Sequence, residues 1–168
     1  HRITKITVEK DITAVGNYAF AYCQNLEEIV FESGNKLSAI GSEAFLKCRL
    51  TDIYIPSSVG YIGKGAFSYT PLVRVRFEDG SMLHTIDKET FTLCIFLESI
   101  ILPDSLKTID DEAFMYCKNL KSITLPSGVQ KIAEKAFMYS GLESITIPAS
   151  VTKLWHYAFN NSADLTAV

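Results

Sequence analysis

The sequence contains no block of lysines or arginines, and its sixteen basic and nineteen acidic side chains leave a formal charge of −3. A chain so close to balance lacks the electrostatic footprint of a nucleic-acid or anionic-membrane binder. No apolar run approaches the roughly 20 residues that a transmembrane helix needs. Histidine is scarce: His1, His84 and His156 fall at unrelated places in the pattern described below, so none is brought beside a nucleophile as a Ser/His/Asp or Cys/His arrangement requires. There is no CxxC pair and no calcium-loop spacing, which argues against zinc and calcium sites. No catalytic residue, cofactor or metal is therefore expected, and the chain is not expected to be an enzyme. A leader is missing too. The sequence starts at His1, enters a repeated pattern part-way at Ile3 and stops inside another copy at Leu165 to Val168. The expectation is a segment of a longer array or of a processed protein, with any signal peptide or anchor outside it.

What is present is apolar material in a fixed order. The composition is 48% hydrophobic and 21% charged, with nineteen aromatics, enough for a continuous core and without the signature of disorder. Phe20, Phe45, Phe67, Phe91, Phe114, Phe137 and Phe159 recur at gaps of 25, 22, 24, 23, 23 and 22 residues, and all but Phe91 follow an alanine. Five or six residues after each Phe comes Leu26, Leu50, Leu72, Leu97, Leu120, Leu142 or Leu165, followed at +3 by Ile or Val wherever the sequence is regular. The step from this Leu to the next Phe is 17 residues in five cases, counting Ile3, and 19 in two. Four of the five short steps turn at proline, as in Pro56-Ser57-Ser58 and Pro103-Asp104-Ser105; the long ones turn through Glu32-Ser33-Gly34-Asn35 and Glu78-Asp79-Gly80-Ser81. Proline ends a strand because it has no N–H to give, and the Gly-containing turns do so by another route. The insertions should therefore lie in loops and leave the core register intact.

A period near 23 lies in the range of leucine-rich repeats, in which each turn lays one strand beside the last. One turn has too few neighbours to bury its six or seven apolar side chains, whereas turns stacked at about 4.8 Å bury each against its equivalents. The Ile40–Cys48 stretch, and its copies, is too short for a stable lone helix and is read as one or two helical or 3₁₀ turns.

The unit Ile-x-x-Ala-Phe-x-x-Cys-x-x-Leu-x-x-Ile-x-Leu-Pro-x-Ser-Val/Leu resembles the BspA-like class of leucine-rich repeats over essentially the whole chain. It is clearest at Ile109–Val129 and at Ile132–Val151, where Ser140 replaces the Cys. The resemblance implies a single solenoid over residues 1–168 with about seven repeats. It also implies surface-exposed or secreted proteins of bacteria and some parasitic protists, acting in adhesion. The expected architecture is a right-handed α/β solenoid of about 23 residues per repeat, with a parallel β-sheet on the concave face and short helical or 3₁₀ turns opposite.

Cys23, Cys48, Cys94 and Cys117 all sit three residues after the Phe, where other copies carry Thr70, Ser140 and Ser162. One column cannot converge on a metal from several directions. Packed free thiols are expected, with Cys23/Cys48 and Cys94/Cys117 as the pairs a disulfide could join. Asp110-Asp111-Glu112 is read as capping a helical turn. Asn160-Asn161-Ser162 fits a glycosylation sequon, a short pattern that arises often by chance. Tyr22, Tyr69, Tyr116 and Tyr139 form a column expected to be half-buried on the outer ridge, and Trp155 stands where Gly41 and Gly63 stand in their copies.

The surface free to bind lies at the strand positions that alternate outward. At Leu+2 these are Lys5, Glu28, Asp52, Arg74, Ser99, Ser122 and Ser144; at Leu+4 they are Thr7, Val30, Tyr54, Arg76, Ile101, Thr124 and Thr146. The C-terminal half is a Ser/Thr ladder. Asp52, Tyr54, Arg74, Arg76 and Ile101 gather on neighbouring strands instead, and Tyr and Arg dominate binding hot spots. These five are the candidate protein-binding residues; scatter on an exposed strand is the competing account. The expected function is protein recognition at a cell surface or after secretion, as adhesion to host or partner-cell proteins. The alternative is a structural spacer in a larger surface protein.

Overall fold

A computed structural model describes residues 3–162 of the chain. The repeat becomes a parallel-strand solenoid in which each turn contributes a longer strand and then a two-residue strand. The first turn carries β1 (Lys5–Val8) and β2 (Ala14–Val15), the second β3 (Glu28–Phe31) and β4 (Ala39–Ile40), the third β5 (Asp52–Ile55) and β6 (Tyr61–Ile62). The fourth carries β7 (Arg74–Phe77) and β8 (Thr85–Ile86), the fifth β9 (Ser99–Ile101) and β10 (Thr108–Ile109). Only short strands follow, β11 (Lys131–Ile132) and β12 (Lys153–Leu154). The longer strands pair in parallel as β1–β3 and β5–β7–β9, the short ones as β2–β4–β6 and β8–β10–β11–β12.

Register follows the repeat, residue for residue. Ile53 lies opposite Val75 and Val75 opposite Ile100, while Ile86, Ile109 and Ile132 align on the second row. Each apolar column thus becomes a file of like side chains through the stack. Phe45, Phe67, Phe91, Phe114 and Phe137 are wholly buried, as are Leu26, Leu50, Leu72, Leu97, Leu120 and Leu142. The Phe rings stack with centroids 5.2–5.6 Å apart and planes within 15° of parallel. That distance is close to one strand spacing, so the backbone ladder itself sets the ring offset.

The helical or 3₁₀ turns expected around the Ala-Phe pair do not form: the described residues contain no helix. The residues two before and two after every Phe have positive φ instead. Among the described residues thirteen are non-glycine, from Tyr18 (58°) and Tyr22 (62°) to Tyr157 (61°) and Asn161 (54°), and Gly65 completes the set. The hydrogen bonds give the reason. Amides at Phe−2, Phe and Phe+2 donate to the next turn, as Glu43 to the Lys64 carbonyl, Phe45 to Ala66 and Lys47 to Ser68. The amides between them close short turns within the repeat, as Ala44 to Gly41, Leu46 to Glu43 and Cys48 to Phe45. A helix would spend every amide inside its own turn; here every second one is turned outward to hold the stack. A left-handed residue costs about 1–2 kcal/mol in isolation, which the inter-turn hydrogen bond and the buried Phe offset.

Two other expectations shift. Asp110-Asp111-Glu112 caps no helix. Asp110 pairs with Lys131 at 2.8 Å, Asp111 accepts the Glu134 amide at 3.2 Å, and Glu112 is one of the positive-φ residues. The strand copies opened by Leu120 and Leu142 shrink to a single parallel bridge, Ser122 to Ser144. The copy opened by Leu165, like His1, lies outside the described residues.

The cysteine column is a hydrogen-bonded file of free thiols. Cys48 donates to the Phe20 carbonyl at 3.0 Å, Cys94 to Phe67 at 3.3 Å and Cys117 to Phe91 at 3.3 Å, each one turn back. Ser162 does the same to Phe137 at 3.0 Å. A small donor is what the position requires, which is why Ser and Thr alternate with Cys there. Burial pushes the Cys48 and Cys94 thiols up to about 12, and that of Cys117 well up. They are therefore inert as nucleophiles or ligands at neutral pH.

Candidate protein-binding site

The parallel ladder β5–β7–β9 carries the five candidate residues in two exposed rows. One row is Asp52, Arg74 and Ser99, the other Tyr54, Arg76 and Ile101, with each residue directly opposite the next. Inward-facing Ile53, Ile55, Val75, Phe77 and Ile100 alternate with them and are buried, so strand pleating fixes which side chains face out. Tyr54 is 51% exposed and Ile101 67%. Exposed apolar side chains are informative where they gather on neighbouring strands rather than singly.

The two arginines differ in state. Arg74 Nε donates to Asp52 Oδ1 at 2.6 Å. That hydrogen bond holds the Asp52 carboxyl below its usual range, with the Arg74 and Arg76 charges adding to it. Arg74 is therefore committed within the surface. Among the described residues Arg76 makes no ion pair. It stands between Tyr54 and Ile101 with its charge available to a partner. Further along, Ser99, Ser122, Thr124, Ser144 and Thr146 are exposed and small, and at the other end Lys5 pairs with Glu28 at 2.8 Å.

On the opposite ridge, Tyr22 (58% exposed) and Tyr69 (51%) are more open than the half-buried column expected. Lys47, their counterpart in the intervening turn, places Nζ 5.2 Å from one ring and 5.1 Å from the other. Tyr116 and Tyr139 stack on each other at 4.7 Å. The sequence column contained Lys47 at the same Phe+2 position, the signal that would have shown this cation between two rings. Trp155 is exposed, with Lys131 Nζ 5.8 Å from its ring. Among the described residues no group of three or more His, Cys, Asp and Glu side chains is disposed to hold a metal. No helix there is long and apolar enough to cross a membrane.

The family model of the BspA type leucine-rich repeat region matches six copies over residues 1–95 and 84–168. The chain belongs to that family. Two solved leucine-rich repeat proteins are similar to this BspA-type solenoid at 28% identity. One, from Eubacterium ventriosum, has a TM-score of 0.84 and matches over 94% of this chain and 42% of its own. The other, from Bacteroides ovatus, has a TM-score of 0.73 over 90% and 45%. A T. pallidum leucine-rich repeat protein, at 22% identity and a TM-score of 0.51, shares the fold. The BspA-type chain thus spans less than half the length of the first two. No curated protein matches it. The similar structures are leucine-rich repeat proteins of bacteria, and family and fold alike are those of repeat scaffolds.

Proposed function

We propose that this chain is the recognition solenoid of a bacterial cell-surface or secreted protein, adhering to host or partner-cell proteins through the β5–β7–β9 face. The observation that carries the reading is the row Tyr54, Arg76 and Ile101, placed in register and left exposed, with an unpaired guanidinium between two apolar side chains. Tyr and Arg are the residue types that dominate binding hot spots, and Ile101 adds an exposed apolar side chain beside them. A partner offering a carboxylate flanked by apolar side chains fits it. Asp52 and Arg74 lie beside this row as a pre-formed ion pair that a partner would meet as one unit. The family supports a surface setting, and residues 1–168 act in it as one solenoid unit of a larger protein.

The test is binding of the purified chain to immobilised extracellular-matrix proteins and to epithelial cells, with Tyr54→Ala, Arg76→Ala and Ile101→Ala. Each substitution at a hot spot costs about 2–4 kcal/mol, at least a tenfold loss of affinity. Unchanged binding by all three would remove this face from the argument. The second reading, a structural spacer, is favoured by the Ser/Thr ladder beyond β9. It predicts that no variant of either outward row alters attachment while deletion of whole repeats does.

A further inference from the structure

We propose that the two long turns form a pair of clefts that accept two lysine or arginine side chains from one extended partner segment. The site lies at the C-terminal edge of the sheet; it shares Tyr54 and Ile101 with the exposed row but does not use Arg76. Both clefts arise the same way, where an inserted turn faces the proline turn of the next repeat. The first, about 430 Å³, has Ile29, Phe31, Tyr54 and Pro56 in its lining. The second, about 340 Å³ and two repeats further on, has Phe77, Ile101, Leu102 and Pro103. Beside the first cleft β3 and β5 run next to each other without a ladder between them, so the sheet is open there.

The rims carry charge of one sign. Glu32 and Glu78 border the first cleft; Glu78, Asp79 and Asp104 border the second; neither lining contains a Lys or Arg. Among the described residues none of these four carboxylates has an ion pair, although Glu28, Asp52, Glu89 and Asp110 do. Two are fixed in place. Glu78 Oε2 accepts the Ser57 amide at 2.8 Å and the Ser57 hydroxyl at 2.7 Å, and Glu32 Oε2 accepts the Lys10 amide at 2.9 Å. These Ser57 bonds hold Glu78 below the usual carboxyl range, so it stays ionised.

An apolar floor beneath an anionic rim suits a side chain with a methylene stem and a cationic head. A purely apolar side chain would leave the rim uncompensated, and an acidic one would be repelled. The clefts are two strand spacings apart, about 10 Å, close to one turn of a polyproline II segment, whose three residues at about 3.1 Å each return side chains i and i+3 to the same face. Arg76 stands on the strand between them and lines neither. It disfavours a continuous cationic run and selects a spaced pair.

The probe is a blocked Lys-Gly-Gly-Lys peptide titrated into the isotopically labelled chain, followed by amide shifts, with Glu-Gly-Gly-Glu as control. Shifts at Gly34 and Gly80 with the basic peptide alone are expected, together with an affinity that falls with salt. Asp79→Asn with Asp104→Asn, side chains that hold no other group among the described residues, should weaken binding at least fivefold, and Glu32→Gln should abolish the shift at Gly34. Equal shifts from the acidic peptide, shifts at only one loop, or wild-type affinity in these variants would overturn the proposal. Lys118, an exposed cation, lines neither cleft, so Lys118→Ala should leave the titration unchanged. A failure here leaves the face reading standing, and Arg76→Ala, at a residue that lines neither cleft, tests the face alone.

Discussion

Gly141→Ala is the substitution on which the stacking geometry makes its sharpest demand. The segment from Phe137 to Leu142 is one residue shorter than its predecessor from Phe114 to Leu120, so the chain cuts the corner over the turn below. A Cβ at Gly141 would stand 1.9 Å from the Lys118 carbonyl oxygen and 2.8 Å from its carbon. Carbon–oxygen contacts settle at about 3.3 Å or more, so the two turns must part by more than 1 Å. The nearest hydrogen bond, Gly141 amide to Cys117 carbonyl at 3.1 Å, lies in the same contact. Overpacking of this kind costs about 1–3 kcal/mol, and a buried polar group left unpaired a further 1–3 or so. We expect a loss of about 3–5 kcal/mol, which lowers the melting temperature by about 6–20 °C at 2–4 °C per kcal/mol in a chain of this size. Urea and thermal unfolding by circular dichroism measure it. Gly60→Ala is the control, because its added Cβ meets nothing within 4 Å, and it should be neutral or raise stability by about 0.4–1 kcal/mol. If the two alanine variants unfold within 0.5 kcal/mol of each other, by the usual scatter of surface substitutions, the close approach of these turns is refuted.

Phe114→Ala opens a hole between rings at 5.5 and 5.2 Å and should cost about 3–5 kcal/mol in the same assay. Cys117→Ser should be better tolerated than Cys117→Ala, since a hydroxyl can keep the bond to the Phe91 carbonyl as Ser162 does to Phe137. The buried thiols also set a pH window. Cys94 titrates at about 12 in the folded chain against 9.0 for an ordinary thiol. Its contribution is whole below pH 9 and is lost as pH rises from there through 12, because only the unfolded chain ionises in that interval. The urea midpoint should hold level from about pH 6 to 8 and fall above 9, less steeply in a Cys94→Ser/Cys117→Ser double variant. Asp52→Asn with Arg74→Ala should leave the urea midpoint close to that of the parent chain, because an exposed ion pair contributes little to stability.

The files of Leu, Ile and Phe were legible because a stack gives each buried residue its own kind as neighbour. A departure would be felt in two turns at once, so the sequence repeats itself where the core is. The left-handed residues flanking each Phe obey the opposite logic. Their constraint falls on the backbone, and the side chains are free to be Tyr, Glu, Lys, Leu or Asn. Only Gly65 in one file and Asn161 in the other carry the preference that positive φ imposes. Two such residues among fourteen are too few to displace the helical reading of Ile40–Cys48. The two clefts were half legible. Steps of 19 residues marked where chain was added, but not that Glu78 would face both openings from the turn between them. Variation therefore means different things in different files: in the Phe±2 files it hides a fixed backbone, whereas in the outward rows of β5, β7 and β9 it leaves chemistry free. Arg76 is informative because its neighbours in register are Tyr54 and Ile101, neither of which neutralises it.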